Sequence, residues 1–164
     1  MAERSRLLVW QDPVSIAAAA REMTGLEYLS AFTTGELPPP PIAVAMRMQP
    51  VELGQGRAVF EGAPDELHYN AIGTVHGGYA ATLLDSALGC AVHSTLGIGE
   101  AYTTLTLEIK MVRAITADMS RVRATAGVQY RGRRHATATA DVVDPSGDKL
   151  LAHGSSTCMI FPVD

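Results

Sequence analysis

Cysteine, aromatic rings, positive charge and uninterrupted apolar runs are all scarce in this chain, and each scarcity narrows what it can be. There are two cysteines, Cys90 and Cys158, too few for a disulfide framework. Both sit among apolar neighbours, where a free thiol reads as a small buried hydrophobe. A formal net charge of -4 gives no electrostatic ground for a nucleic-acid partner. It leaves room for small anions held by local arginines and backbone N–H groups. The longest apolar stretch, Ala71 to Ile98, is broken by His76, Asp85, His93 and several glycines, whereas a membrane span needs about 20 continuous apolar residues. Met1 to Trp10 carries arginines but no apolar signal core, so a soluble, cytoplasmic protein with no membrane partner is expected. Gly-x-Ser-x-Gly is missing, which removes support for a serine hydrolase. Neither a Gly-x-Gly-x-x-Gly motif nor a phosphate loop occurs. His68, His76, His93, His135 and His153 show no metal-ligand spacing. No cofactor and no metal are therefore expected.

What the chain does have is patterned hydrophobicity. With 164 residues, 47% hydrophobic and 18% charged, it suits one globular domain. Val14 to Phe32 reads as one helix, with Asp12 as N-cap, Pro13 in the first turn, and Ile16, Ala20, Met23, Leu26 and Leu29 at helical spacing. Gly35 and the prolines from Pro38 to Pro41 end it. Residues 1–41 are assigned to an N-terminal helical extension with a proline-rich linker, and 42–164 to the main domain.

Ile42 to Met48 and Arg57 to Gly62, flanking a turn at Gly54 and Gly56, are strand candidates. A polar loop from Pro64 to Gly73 leads to a second helix, Gly77 to Ser94, apolar nearly all round and so in need of cover on most sides. Gly97 and Gly99 read as its stop. Beyond Gly99 everything alternates. Leu105, Leu107, Ile109 and Met111 define one face against Thr104, Thr106, Glu108 and Lys110, and Val122, Ala124, Ala126, Val128 and Tyr130 repeat the pattern. Gly132-Arg133-Arg134 reads as a hairpin into His135 to Val143. Asp144-Pro145-Ser146-Gly147-Asp148 is a turn before a last strand, Leu150 to Phe161. Strands grouped around one segregated helix imply an α+β domain with a curved antiparallel sheet wrapped on a long central helix.

The chemistry concentrates in Asn70-Ala-Ile-Gly-Thr-Val-His76-Gly77-Gly78, with Asp85 nine residues after His76. A carboxylate in the most apolar helix is costly to bury without a purpose or a partner. Gly78, Thr82 and Gly89 share its face at i−7, i−3 and i+4. This small-residue stripe leaves room for a ligand or for the backbone of a second chain. Gly77 and Gly78 open the helix, where the first N–H groups lack internal partners and carry partial positive charge. An acyl carbonyl brought there would gain the donors that stabilise an oxyanion. The plainer readings are that Asp85 bonds a hydroxyl or an amide, that the glycines ease a turn, and that Asn70 and His76 are turn or cap residues.

Asn70, Gly73, His76-Gly77-Gly78 and Asp85, in this order and spacing, resemble the hotdog-fold acyl-CoA thioesterases of the phenylacetate-degradation type, within the 4-hydroxybenzoyl-CoA thioesterase-like superfamily. The likeness spans Ile42 to Phe161. It implies a hotdog fold and an acyl-CoA substrate, with Asp85 as nucleophile or general base and the Gly77 amide polarising the acyl carbonyl. Asn70 and His76 would orient substrate or water, and Thr104 would assist from the strand after the helix, with Thr103 next in line. Gly78 and Thr82 would border the substrate, and Tyr79, Leu83 and Met111 would line the acyl pocket. Arg113, Arg133 and Arg134 would hold the coenzyme A phosphates, although Arg113-Ala114 departs from the Arg-Pro usual among relatives. The resemblance also implies a homodimer with shared sites, stacked as a dimer of dimers. A non-catalytic acyl-CoA binding or sensing module on the same fold is the alternative, and a hotdog dehydratase would need a different His and acid pair.

Overall fold

The computed structural model describes residues 2–116, 118–146 and 149–163. Among the described residues, six strands form one antiparallel sheet: β1 (Met48–Gly54), β2 (Arg57–Gly62), β3 (Glu100–Met111), β4 (Val122–Arg131), β5 (His135–Asp144) and β6 (Lys149–Pro162), in the spatial order β1-β2-β4-β5-β6-β3. The helices α1 (Pro13–Ala19), α2 (Gly25–Thr34), α3 (Pro41–Ala45) and the long α4 (Gly77–His93) accompany it. The sheet wraps α4, as the alternation predicts, and the architecture is α+β.

The sheet face under α4 is built largely from alanine: Ala124, Ala126, Ala136, Ala138 and Ala140 are all buried. Small side chains there let the helix sit close, and Leu83, Leu84 and Leu88 fill the space between. Each of these leucines is completely buried, so truncating one to alanine costs about 2–5 kcal/mol. The helix ends at His93 with Ser94 as C-cap in right-handed geometry. Gly97 and Gly99 do not terminate it. Gly99 instead takes the left-handed turn (φ 79°) that launches β3.

Several elements differ from the sequence reading. The expected single helix over 14–32 is two helices, because Thr24 and Glu27 form a capping box that starts α2 afresh. Asp12 does cap α1, accepting from the Val14 N–H at 3.1 Å. The expected strand at 42–48 is mostly helix. Pro41 supplies the fixed φ of a first helical residue, and the strand begins only at Met48, after Arg47 turns the chain at φ 49°. The boundary drawn at residue 41 thus falls on the first residue of a helix. In β3 a bulge between Thr104 and Thr106 breaks the alternation and leaves Leu105, expected inside, 57% exposed. Met111, at the end of β3, is exposed as well. A second bulge between Val128 and Tyr130 turns Tyr130 outward in β4. The hairpin at Gly132 to Arg134 is as read, whereas Gly147 and Asp148 of the next turn lie outside the described residues.

Candidate active site

Helix α4 is buried on most of its surface, but Asp85 lies on its open side and is exposed in the single chain. Thr104 reaches toward this carboxylate from β3, its Oγ1 3.4 Å from Asp85 Oδ1, long for a hydroxyl donating to a carboxylate. Thr103 points the other way, as strand alternation requires. The bulge just beyond Thr104 then resets the register, so that Thr104 and Leu107 both face inward although they are three residues apart.

Gly89 does not leave open space beside Asp85. A Cβ there would stand 2.5 Å from the Tyr102 hydroxyl oxygen, so the glycine is small because Tyr102 fills the gap. Thr82 donates its hydroxyl back to the Gly78 carbonyl at 2.9 Å. Cys90, one turn beyond Asp85, has its thiol pushed up to about 12 by desolvation, with the negative charge of Asp85 adding to the effect. It stays protonated, consistent with its reading as a small hydrophobe.

At the start of α4 the two glycines are not equivalent. His76 is the N-cap, and its Nδ1 accepts the Gly78 N–H at 2.8 Å. With Nδ1 accepting, Nε2 is the ring nitrogen left to donate. The Gly77 N–H has no hydrogen-bond partner among the described residues. It borders a cleft of about 270 Å³ lined by Val75, His76, Met111, Arg113 and Leu151 among others. Asn70 organises the loop that delivers this terminus. Its Oδ1 accepts from the Ile72 and Thr74 N–H groups at 3.0 and 3.2 Å, and its Nδ2 donates to Thr74 Oγ1 at 2.9 Å. Gly73 closes the loop at φ 83°.

Gly77 and Asp85 are eight positions apart, which at a rise of about 1.5 Å per residue is about 12 Å along the helix. One chain therefore does not bring this amide and this carboxylate to the same carbonyl. The arginines divide in the same way. Arg113 lies at the Gly77 end and donates to the Leu150 carbonyl at 2.8 Å. Arg133 and Arg134, both exposed, adjoin His135, which pairs with Met159, which in turn pairs with Thr103. They belong to the Asp85 end.

Tyr79 and Leu83 are core residues rather than pocket residues. Leu83 is wholly buried, and the Tyr79 hydroxyl, close against Gly62, is buried without a hydrogen-bond partner among the described residues. Met111 faces the Gly77 cleft. The space beside Asp85 is instead a cavity of about 700 Å³ that sequence reasoning missed. Asp85, Ser86, Cys90 and Tyr102 form one side, and residues of α2, the proline run, α3 and β1 form the other. The amphipathic spacing of Leu29 with Phe32 and Thr33 was the available signal.

The family model of the Thioesterase superfamily matches residues 72–151, a stretch running from the Asn70 loop through α4 and into β6. Human acyl-coenzyme A thioesterase 13 is 31% identical over 112 residues, covering 65% of this chain and 75% of that protein. A phenylacetic acid degradation-related protein from Ralstonia eutropha superposes with a TM-score of 0.73 at 26% identity, covering 80% of this chain and 98% of the other. The phenylacetic acid degradation protein from Thermus thermophilus, in a mutant form, gives a TM-score of 0.66 at 30% identity over 73% of this chain and 97% of its own. On sequence and architecture together, the chain belongs to the thioesterase superfamily and is a thioester hydrolase of hotdog fold.

Proposed function

We propose that the protein hydrolyses acyl-CoA thioesters at sites shared between two copies of the chain, with Asp85 as the reacting carboxylate. The observation that carries this reading is the pairing of Asp85 with Thr104 on an open helix face, while the unpartnered Gly77 N–H lies about 12 Å away along the same helix. The two halves of a hydrolytic site exist but are too far apart within one chain. Strand β3 supplies a route to joining them. It is an edge of the sheet, and an edge strand presents unpaired backbone groups that a second copy can satisfy. Two such strands meeting antiparallel about a twofold axis would carry the Gly77 terminus of each chain toward Asp85 of the other. Dimers stacked in pairs would form a tetramer.

In that site the Gly77 N–H donates to the thioester carbonyl oxygen and stabilises negative charge on it as the carbonyl carbon is attacked. Asp85 acts in one of two ways. As a general base it takes a proton from water, which attacks the carbon directly. As a nucleophile it attacks the carbon itself, and water then hydrolyses the resulting anhydride. In either case the C–S bond breaks, coenzyme A leaves as the thiolate and takes up a proton, and the free acid remains. Thr104 holds the carboxylate, and a contact that is long without substrate shortens when the site fills. Asn70 and His76 set the loop and the helix start that present the Gly77 amide. Gly78 and Thr82 border the substrate. Arg133 and Arg134 from one chain and Arg113 from the other would meet the phosphates of coenzyme A.

Asp85→Asn keeps the shape and removes the charge. It should lower kcat for an acyl-CoA panel by at least about a hundredfold, the low end for loss of a general base, while KM changes little. Undiminished turnover in this variant would remove Asp85 from the reaction. A wild-type protein that binds acyl-CoA without hydrolysing any member of the panel would return the fold to a binding or sensing role.

A further inference from the structure

The cavity beside Asp85 is closed on its far side by residues 29–51, all upstream of the family match that begins at residue 72. We infer that this N-terminal segment is the wall of the acyl pocket and that it selects uncharged, apolar acyl groups long enough to reach from Asp85 to α3. The inference rests on the reading that Asp85 marks the reacting carbonyl.

The wall is built to hold its shape. Gly25 lies so close to the end of α4 that a Cβ would stand 1.7 Å from the His93 carbonyl oxygen, and its N–H donates to the Leu96 carbonyl at 2.9 Å. Tyr28 stacks on the His93 ring at 5.3 Å, and Phe32 meets Tyr28 edge to face at 5.0 Å. Pro39 and Pro40, whose rings restrict the backbone, carry the chain across to Ile42 on α3. Phe32, Pro39, Pro40 and Ile42 thus face Asp85 and Tyr102 across about 700 Å³, within the range of pockets that enclose a drug-sized ligand.

The chemistry of the lining sets the class of occupant. Its polar groups are the side chains of Thr33, Gln49, Ser86 and Asp85 with the Cys90 thiol and the Tyr102 hydroxyl, and among the described residues no lysine, arginine or histidine contributes to it. A second carboxylate at the tip of an acyl chain would lose its water there, gain no cationic partner and stand in the same cavity as Asp85. An aliphatic or aryl tip loses only apolar contact with water, a favourable transfer.

Non-hydrolysable S-alkyl-CoA thioethers with short, medium and long chains test this by calorimetry, with an ω-carboxyl analogue beside them. For the wild-type protein, affinity should rise by about fourfold per added methylene until the cavity is filled, and the carboxyl analogue should bind no better than the shortest chain. Phe32→Trp and Ile42→Trp narrow the cavity from two places, and Ile42 is 52% exposed, so its replacement does not disturb the core. Each should weaken the long thioether relative to the short one by about fifteenfold, the effect of roughly two methylenes left outside. Equal dependence on chain length in wild type and both variants overturns the proposal. So does unchanged affinity accompanied by loss of the dimer, which would make this face a subunit contact. Thioether binding needs no turnover, so a failed hydrolysis reading and a failed pocket reading give different results.

Discussion

Thr104 Oγ1 stands 3.4 Å from Asp85 Oδ1, and a β-bulge immediately after Thr104 keeps both it and Leu107 on the inner face of β3. A regular strand would have kept Thr106 and Glu108 in line with Thr104 and turned Leu107 out. The hydroxyl beside the carboxylate and the apolar packing of the strand's second half therefore depend on the same irregularity.

Thr104→Ala should accordingly slow turnover by about ten- to a hundredfold, the range for losing a hydrogen bond to a charged group, with little change in KM. Thr103→Ala, whose side chain points away, should remain within about twofold of wild type, since exposed substitutions perturb little. Steady-state kinetics on one acyl-CoA separates the two variants, and equal losses would mean the strand is simply weakened.

The Gly77 amide can be deleted without deleting the helix. Gly77 is the first residue of α4, a position that tolerates proline because its N–H has no place in the helical ladder. Among the described residues, its Cβ would meet Met111 Cε alone, at 3.5 Å. Gly77→Pro should therefore fold normally and lose about a hundredfold or more in kcat, whereas Gly77→Ala, which keeps the N–H, should lose far less. Mixing refolded Gly77→Pro and Asp85→Asn subunits should restore about a quarter of wild-type activity, since half of randomly paired dimers hold one intact shared site. A mixture as inactive as its components would rule out sharing between chains.

How much of this was readable beforehand divides along physical lines. The long helix, the hairpin at Gly132 to Arg134 and the Asn70 to Asp85 constellation follow from local period and spacing, which the sequence displays directly. The choice of Thr104 rests instead on the family resemblance, because the alternation sets it on the face opposite Leu105 and Leu107. The exposure of Leu105 and Tyr130 does not follow from alternation, because a bulge inserts a residue without changing composition. Tyr79 and Leu83 looked like pocket residues because periodicity identifies an apolar face and not which neighbour covers it. Phe32 and Ile42 went unrecognised for the converse reason. Their placement opposite Asp85 depends on Gly25 docking against His93, a contact between residues 68 positions apart. Helix α3 was misread as strand because Ile42 and Val44 favour strands, while Pro41 at the first helical position prevailed.

His93 links this docking to pH. Its side chain is sandwiched by Tyr28 and Tyr102, and burial lowers its pKa from 6.5 to about 4. The unfolded chain takes up the His93 proton as pH falls through 6.5, while the folded chain resists until about 4. Stability from this group is therefore intact above pH 6.5 and declines toward pH 4, by up to about 3 kcal/mol at 1.36 kcal/mol per unit. Urea unfolding at pH 7.5 and 5, for example, should show a clear loss in the wild-type protein and a smaller one in His93→Gln. Equal pH dependence in the two proteins would acquit His93.

Gly25 gives the most direct test of whether the N-terminal segment belongs to the folded unit. A methyl group at this position would overlap the His93 carbonyl oxygen at 1.7 Å and the carbonyl carbon at 2.7 Å. Both are helix backbone, which cannot rotate aside as a side chain would. Gly25→Ala must therefore push α2 off α4 and stretch the Gly25 N–H bond to Leu96. Overpacking of this kind costs about 1–3 kcal/mol, a fall of about 2–12 °C in Tm for a domain of this size. Gly35→Ala is the control, because Gly35 at φ 81° has open space around it and bears only the cost of a left-handed residue, about 1–2 kcal/mol. Limited proteolysis distinguishes the two beyond Tm: cleavage between α1 and α2 should accelerate in Gly25→Ala and not in Gly35→Ala. If both are cut at the wild-type rate, α2 is held by something other than this contact. If only Gly25→Ala opens, its preference among thioether chain lengths should flatten with it, because the wall opposite Asp85 has moved.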